Sequence, residues 1–207
     1  MESPQISDPA MAAGPDREPR RARLFFALDP DDAAREALTA WREEALEGRA
    51  GLRLVPPEML HVTLVFLGSR AETEIPAIAA AGLSSVSVLA APVLDVGNIV
   101  GVPRRRPRLL SLALDDPAGR ARQLADAVSG DLASRGLHEL EDRPFWAHLT
   151  LARVSGKQNR GGDRGSAPSR LPPSPVTFDR VTLYRSLPGP IGSRYEPIER
   201  RGLAPAA

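Results

Sequence analysis

The stretch LHVTLVFLG, residues 60–68, places a histidine and a threonine two positions apart in an otherwise apolar strand. The stretch AHLTLAR, residues 147–153, repeats the same His-x-Thr-Leu frame near the other end of the chain. The chain has only three histidines, so two of them stand in this frame. Because a repeated frame is far more specific than one short motif, it predicts a single site built from both strands.

Successive side chains of a strand point to opposite faces of the sheet. His61, Thr63 and Val65 should therefore share one face of the first strand. The opposite face, which should pack on the core, comprises Val62, Leu64 and Phe66. In the second strand, His148 and Thr150 share a face in the same way. Each strand is thus expected to present one imidazole and one hydroxyl side by side.

Two imidazoles, with ordinary pKa values of about 6.5, can act as a general base and a general acid at neutral pH. Two hydroxyls can hydrogen-bond the oxygens of a phosphate held between them. This combination suits metal-independent hydrolysis of a phosphodiester, in which one histidine activates water and the other protonates the leaving oxygen. A metal site on His61 and His148 would need further ligands such as carboxylates, and neither frame contains one.

The composition excludes several classes of protein. With 207 residues the chain can form one domain or two small ones, and without cysteine it has neither disulfides nor thiolate chemistry. A net charge of +1 is too small to attract nucleic acid through the bulk field alone. No apolar run approaches the roughly 20 residues that span a bilayer. Residues 1–21 lack the apolar core of a signal peptide and indicate a disordered tail, so the cytoplasm is the expected location.

The element pattern occurs twice along the chain. A strand at 23–29 is followed by a helix, with Asp29 as the expected N-cap and Pro30 as its first residue. Further strands are expected at 86–93 and 108–114, and a second long helix after Asp116. Each half of the chain therefore contains one long helix and one His-x-Thr strand.

This order predicts an α+β fold with helices outside antiparallel sheets. Residues 22–203 are expected to form one pseudo-symmetric domain. The Gly-, Ser- and Arg-rich stretch 155–175 is interpreted as a mobile surface loop.

The sequence resembles the 2H phosphoesterase superfamily, and more narrowly the LigT-like RNA 2′,3′-cyclic phosphodiesterases, historically called 2′-5′ RNA ligases. The stretches that carry the resemblance stand in family order over most of residues 22–200; they are RLFFALDP, LHVTLVFLG, RPFWAHLTLAR and VTLYRS with RYEPI. The resemblance implies a bilobal fold with a pseudo-twofold cleft between two antiparallel sheets. It also implies opening of a 2′,3′-cyclic phosphate on RNA to a 2′-phosphomonoester, without a cofactor.

The resemblance also implies a role for each motif residue. His61 would be the proton donor to the leaving 3′-oxygen, and His148 the proton acceptor that activates water. Thr63 and Thr150 would bind the substrate phosphate, together with Arg153, which follows the second motif. The near symmetry of the two frames offers no physical basis for choosing between the two histidines. The partner would be RNA with a cyclic phosphate end, as tRNA fragments or nucleotides, and the enzyme is expected to be a monomer that binds no membrane.

Several features of the sequence allow more than one interpretation. The run PRRRPR, with Arg104–Arg108, could contact RNA phosphates, although exposed arginines are more often plain surface. One of Phe25 and Phe26 should line the cleft, and alternation does not say which. Tyr184 and Tyr195 could belong to the core or to the cleft wall. His138 stands among acidic residues, where solvated charge is the ordinary interpretation.

Three alternatives to cyclic phosphodiesterase activity also stay open at this stage. The same site could join RNA ends in an ATP-assisted 2′-5′ ligation. It could open a small cyclic phosphate, such as one on an ADP-ribose derivative. It could also bind RNA ends without turnover, although binding alone has little need for two titrating groups.

Overall fold

The structure is a computed structural model that describes residues 20–46, 49, 51–154, 171–189 and 192–206. Residues 1–19 of the predicted tail and 155–170 of the predicted loop lie outside these residues, so the tail and the loop both stay predictions. Arg21 already belongs to the first strand. No helix in the described part of the chain is long and apolar enough to cross a membrane.

The described residues form eight strands and three α-helices. The strands are β1 (Arg21–Pro30), β2 (Leu52–Leu54), β3 (Val62–Ala71), β4 (Val93–Val102), β5 (Leu109–Asp115), β6 (His148–Val154), β7 (Val176–Leu187) and β8 (Arg194–Gly202). The helices are α1 (Asp32–Leu46), α2 (Ile75–Gly82) and α3 (Arg120–Ala133).

All strand pairings are antiparallel, and the strands form two groups of four. One sheet has the order β3-β1-β7-β8 and the other has the order β2-β6-β5-β4. The sheets are joined at one edge by the single pair Val62 and Leu149, and at the other by two pairs between β4 and β7. The predicted α+β class with two antiparallel sheets is therefore confirmed, and each sheet contributes one motif strand.

Both long helices begin later than their sequence signals indicated. Asp29 and Pro30 continue β1, and Asp31 caps α1 by accepting a 2.7 Å hydrogen bond from the Ala34 backbone N–H. The prediction of Asp29 as N-cap is therefore wrong by two residues. Asp116 does accept hydrogen bonds from N–H groups at the start of α3, but the helix itself begins at Arg120.

The predicted strand at 86–93 is also wrong. Residues Val86–Val88 form a single 3-10 turn, with Val86 fully buried and Val88 77% exposed. The strand begins only at Val93, directly after Pro92, which has no N–H to donate to a sheet. The hydropathy of residues 86–93 alone does not distinguish a packed turn from a strand.

A β-bulge follows the threonine in each motif strand. In β3, Leu64 is the extra residue between the pairs that Thr63 and Val65 make with β1. In β6, Leu151 is the extra residue between the pairs that Thr150 and Ala152 make with β5. An extra residue inverts the alternation of side chains beyond it. The residue five positions after each histidine therefore turns to the same side as the histidine.

This inversion corrects the predicted faces of the first motif strand. Val65, expected beside Thr63, is buried in the core at 6% exposure. Phe66, expected in the core, is 44% exposed and lines the space between the sheets. Arg153 occupies the equivalent place in the second sheet.

Helix α2 lies close to β1 because Gly82 leaves room for the fully buried ring of Phe26. A Cβ at residue 82 would overlap that ring. We expect Gly82→Ala to lower the free energy of unfolding by about 1–3 kcal/mol, as overpacking of a filled core does. Urea denaturation would measure this change in the free energy of unfolding.

Gly130 in α3 provides the matched control, since nothing lies within 4 Å of a Cβ built there. Gly130→Ala should be neutral or stabilising, because alanine is the better helix former. Equal effects of the two substitutions would contradict the packing argument.

Candidate active site

A cavity of about 500 Å³ lies between the two sheets, and all four motif side chains line it. His61 directly precedes β3 and His148 begins β6, where the two sheets meet at Val62 and Leu149. The other lining residues are Arg23, Phe25, Val55, Met59, Phe66, Leu109, Arg153, Ser186, Pro188, Ser193 and Tyr195. The structure therefore brings together His61, Thr63, His148, Thr150 and Arg153, as the sequence predicts.

The two imidazoles are held by the same type of hydrogen bond to a backbone carbonyl. Nδ1 of His61 lies 2.7 Å from the Met59 carbonyl oxygen, and Nδ1 of His148 lies 2.9 Å from the Trp146 carbonyl oxygen. In each case the carbonyl belongs to the residue two positions before the histidine and can only accept, so Nδ1 must carry the proton. This arrangement leaves Nε2 of each ring as the nitrogen that can exchange a proton with substrate.

The surroundings of His61 are aromatic. Its ring centroid lies 5.2 Å from that of Phe25 and 5.2 Å from that of Tyr195, which is edge-on. Burial among these rings lowers the pKa of His61 to about 4, and the nearby charge of His148 contributes to the lowering. The hydrogen bond to Met59 opposes this shift without cancelling it. His61 is therefore neutral at pH 7 in the free protein.

His148 has a different environment, because its ring stacks on the indole of Trp146. The ring centroids lie 4.0 Å apart with an interplanar angle of 15°. Burial lowers the pKa of His148 below its ordinary value, and the bond to the Trp146 carbonyl acts against that shift. Trp146 itself is 43% exposed, so the stack forms one edge of the site.

The two threonines are half-buried in the cavity wall. Among the described residues, neither the Thr63 nor the Thr150 hydroxyl has a hydrogen-bond partner in the protein. Both hydroxyls are therefore available to donate to a bound group.

The aromatic positions that the sequence left open are settled by packing. Phe25 lines the cavity and stacks on Tyr184 at 5.4 Å, whereas Phe26 is fully buried in the core. Tyr195 belongs to the cleft wall. Tyr184 is 5% exposed and supports Phe25 from behind.

A buried polar network that sequence reasoning missed lies behind this wall. The carboxylate of Asp29 accepts hydrogen bonds from the hydroxyl of Thr182 at 2.6 Å and from that of Tyr184 at 3.1 Å. Burial raises the pKa of Asp29, and burial beside this carboxylate raises the pKa of Tyr184 to about 12. The network anchors the aromatic wall, and only the β1–β7 register could have shown it.

Other sequence candidates lie outside the cavity. Arg104–Arg106 are exposed in the turn between β4 and β5 and do not line the cavity. His138 follows α3 and does not line it either. Within the described ranges, no three His, Asp or Glu side chains lie close enough to hold a metal ion; metal-independent activity stays a prediction.

Two sheets that each present a histidine and a threonine to one cavity define a 2H phosphoesterase. The comparison with known proteins is more specific: residues 28–108 match the family described as LigT like Phosphoesterase. The chain belongs to this LigT-like family of RNA 2′,3′-cyclic phosphodiesterases.

Two curated relatives support this assignment. The RNA 2′,3′-cyclic phosphodiesterase of Archaeoglobus fulgidus is 33% identical over 141 residues, which cover 68% of this chain and 77% of the relative. The protein of the same name from Escherichia coli is 31% identical over 188 residues, covering 87% and 96%.

Solved structures agree with the fold. A Thermus thermophilus protein superposes with a TM-score of 0.71 at 26% identity, covering 87% of this chain and 97% of that one. E. coli LigT complexed with 3′-AMP superposes with a TM-score of 0.67 at 27% identity, covering 89% and 99%.

Proposed function

We propose that this protein is an RNA 2′,3′-cyclic phosphodiesterase that opens the cyclic phosphate by two-histidine acid–base catalysis. The observation that carries the proposal is the convergence of His61, Thr63, His148 and Thr150 on one cavity. The names of the relatives supply the substrate class.

The reaction needs one proton removed and one delivered. Nε2 of His148 takes a proton from water as the water oxygen attacks phosphorus. The bond between phosphorus and the 3′-oxygen breaks, and Nε2 of His61 gives that oxygen a proton, leaving a 2′-phosphomonoester. Thr63 and Thr150 donate hydrogen bonds to the non-bridging oxygens, where negative charge builds. The Arg153 guanidinium adds positive charge to the same cavity.

The family resemblance, rather than the free cleft, supports this direction of proton transfer. In the free protein burial lowers the pKa of His61 to about 4 and lowers the pKa of His148 below its ordinary value. A neutral His61 must therefore gain its proton before it can act as the acid. The negative charge of a bound cyclic phosphate favours that protonation, because an adjacent anion stabilises imidazolium.

The pH dependence of kcat/KM follows from these shifts. Catalysis needs one neutral and one protonated imidazole, and kcat/KM reports the free enzyme. The pKa of His61 is lowered to about 4 and that of His148 lies below the ordinary 6.5, so both rings lose their protons by about pH 6.5, whereas protonation of both rings at low pH removes the base. We expect a bell-shaped profile with its maximum below pH 6.5, measured at constant ionic strength. A maximum above about pH 7 would contradict it.

The direct test uses an oligoribonucleotide that ends in a 2′,3′-cyclic phosphate, incubated with the purified protein in EDTA. We expect a product with a 2′-phosphate end. Joined strands that form only with ATP would favour ligation, and binding without turnover would favour an RNA-end binding module. Loss of turnover in EDTA would contradict metal independence. Elution volume in size-exclusion chromatography would test the predicted monomer.

A further inference from the structure

Two arginines stand directly opposite each other on neighbouring strands, and one of them, Arg153, lines the cavity. The antiparallel register of β2 and β6 pairs Arg53 with Arg153. Both side chains meet the β7–β8 connection at Gly192, where an added Cβ would lie 3.0 Å from Nη2 of Arg53 and 3.1 Å from Nε of Arg153. Two guanidinium groups therefore converge on one point of the backbone.

The part of the chain that the structure describes does not neutralise the positive charges of this pair. Among the described residues, no carboxylate forms an ion pair with Arg53 or Arg153. Like charges at directly opposed positions of a sheet destabilise it. Arg53 is exposed and Arg153 is half-buried, so an anion can reach both. The Ser193 hydroxyl, in the same connection, lines the cavity and provides another donor nearby.

The two guanidinium groups meet at Gly192 in the β7–β8 connection, further along β6 than the motif threonine Thr150. Arg153 follows Thr150 by three residues of β6, about 10 Å at the usual strand rise. Its guanidinium lies against Gly192. Paired guanidinium groups match the oxygens of phosphate through several charge-assisted hydrogen bonds. The pair is thus suited to a second phosphate on the same substrate.

We propose that Arg53 and Arg153 bind the phosphate on the 5′-oxygen of the terminal nucleotide, whose 2′,3′-cyclic phosphate is opened between the histidines. In RNA this group is the phosphodiester that links the last two nucleotides. The proposal rests on the proposed function. It assigns Arg53 a role in selecting RNA ends over nucleoside 2′,3′-cyclic phosphates that lack a 5′-phosphate.

The test compares adenosine 2′,3′-cyclic phosphate with the same compound carrying a 5′-phosphate. For the wild type we expect the 5′-phosphate to raise kcat/KM about tenfold, the equivalent of ~1.4 kcal/mol. Arg53→Gln should bring the ratio of the two kcat/KM values towards one, and Arg53→Lys should restore part of it. Arg122→Gln, which changes an exposed arginine of α3, is the matched control and should keep the wild-type ratio.

Binding of product analogues provides a readout that does not depend on turnover. Adenosine 2′,5′-bisphosphate should bind the wild type about tenfold more tightly than adenosine 2′-phosphate by calorimetry, and Arg53→Gln should remove this difference. The proposal would be overturned if the wild type showed equal kcat/KM values for the two cyclic phosphates and equal affinities for the two product analogues. It would also be overturned if Arg53→Gln weakened the binding of both product analogues by the same factor. If no cyclic phosphate is hydrolysed, the proposed function fails, and the calorimetric comparison still decides whether the arginine pair binds phosphate.

Discussion

Replacing either His61 or His148 by alanine is expected to lower kcat for the cyclic phosphate about 10²- to 10⁴-fold, the range that a positioned acid or base contributes. Each ring offers Nε2 to the cavity while a backbone carbonyl holds Nδ1. Without His61 the leaving 3′-oxygen receives no proton. Without His148 no base removes a proton from the attacking water. The double variant should lose little more than either single one, because groups that act as a unit are not additive.

His138→Ala is the matched control for these variants. His138 is the remaining histidine of the chain, it does not line the cavity, and its removal should leave kcat unchanged. We would measure kcat at saturating substrate, with circular dichroism to verify folding. If His61→Ala or His148→Ala retained more than about a tenth of the wild-type kcat, the two-histidine mechanism would be wrong for that residue.

Replacing Thr63 or Thr150 by valine should lower kcat about 10²-fold each, as removal of one donor to a developing oxyanion does. Both hydroxyls line the cavity and are half-buried. Valine preserves the branched shape, so the strand should keep its packing while the donor is lost. The charge on phosphorus oxygens grows in the transition state, and KM should therefore change less than kcat.

Thr177→Val serves as the control for the threonine variants, because Thr177 also lies in a half-buried strand position but outside the cavity. Its kcat should equal that of the wild type. A rise in KM with unchanged kcat for Thr63→Val or Thr150→Val would show that the hydroxyl only binds the ground state. The threonines would then be binding residues and not contributors to the transition state.

Local sequence was sufficient to predict that the motif histidine and threonine share a face of each strand, because their residue types and spacing can be read from a few neighbouring positions. A histidine and a threonine two positions apart in a strand must share a face, whatever the strand pairs with. The two sheets confirm that geometry for His61 with Thr63 and for His148 with Thr150. The α+β class likewise followed from the repeated order of strand, helix and motif strand.

Positions beyond the threonines depended on strand pairing, which sequence alone does not reveal. The bulges at Leu64 and Leu151 exist only relative to β1 and β5, and they turn Phe66 and Arg153 into the cavity. Asp29 resembled a helix cap because Asp-Pro is a local signal, yet its partners Thr182 and Tyr184 are more than 150 residues away.

The sequence by itself determined which groups are proposed for the chemistry, because residue type and a two-residue spacing are enough to place a histidine and a threonine on one face of a strand. Only the tertiary structure decided how the two strands meet, which aromatic rings surround His61 and lower its pKa to about 4, and which arginine stands beside Arg153. Burial, register and facing charge are properties of several segments at once. They arise only when distant parts of the chain pack together.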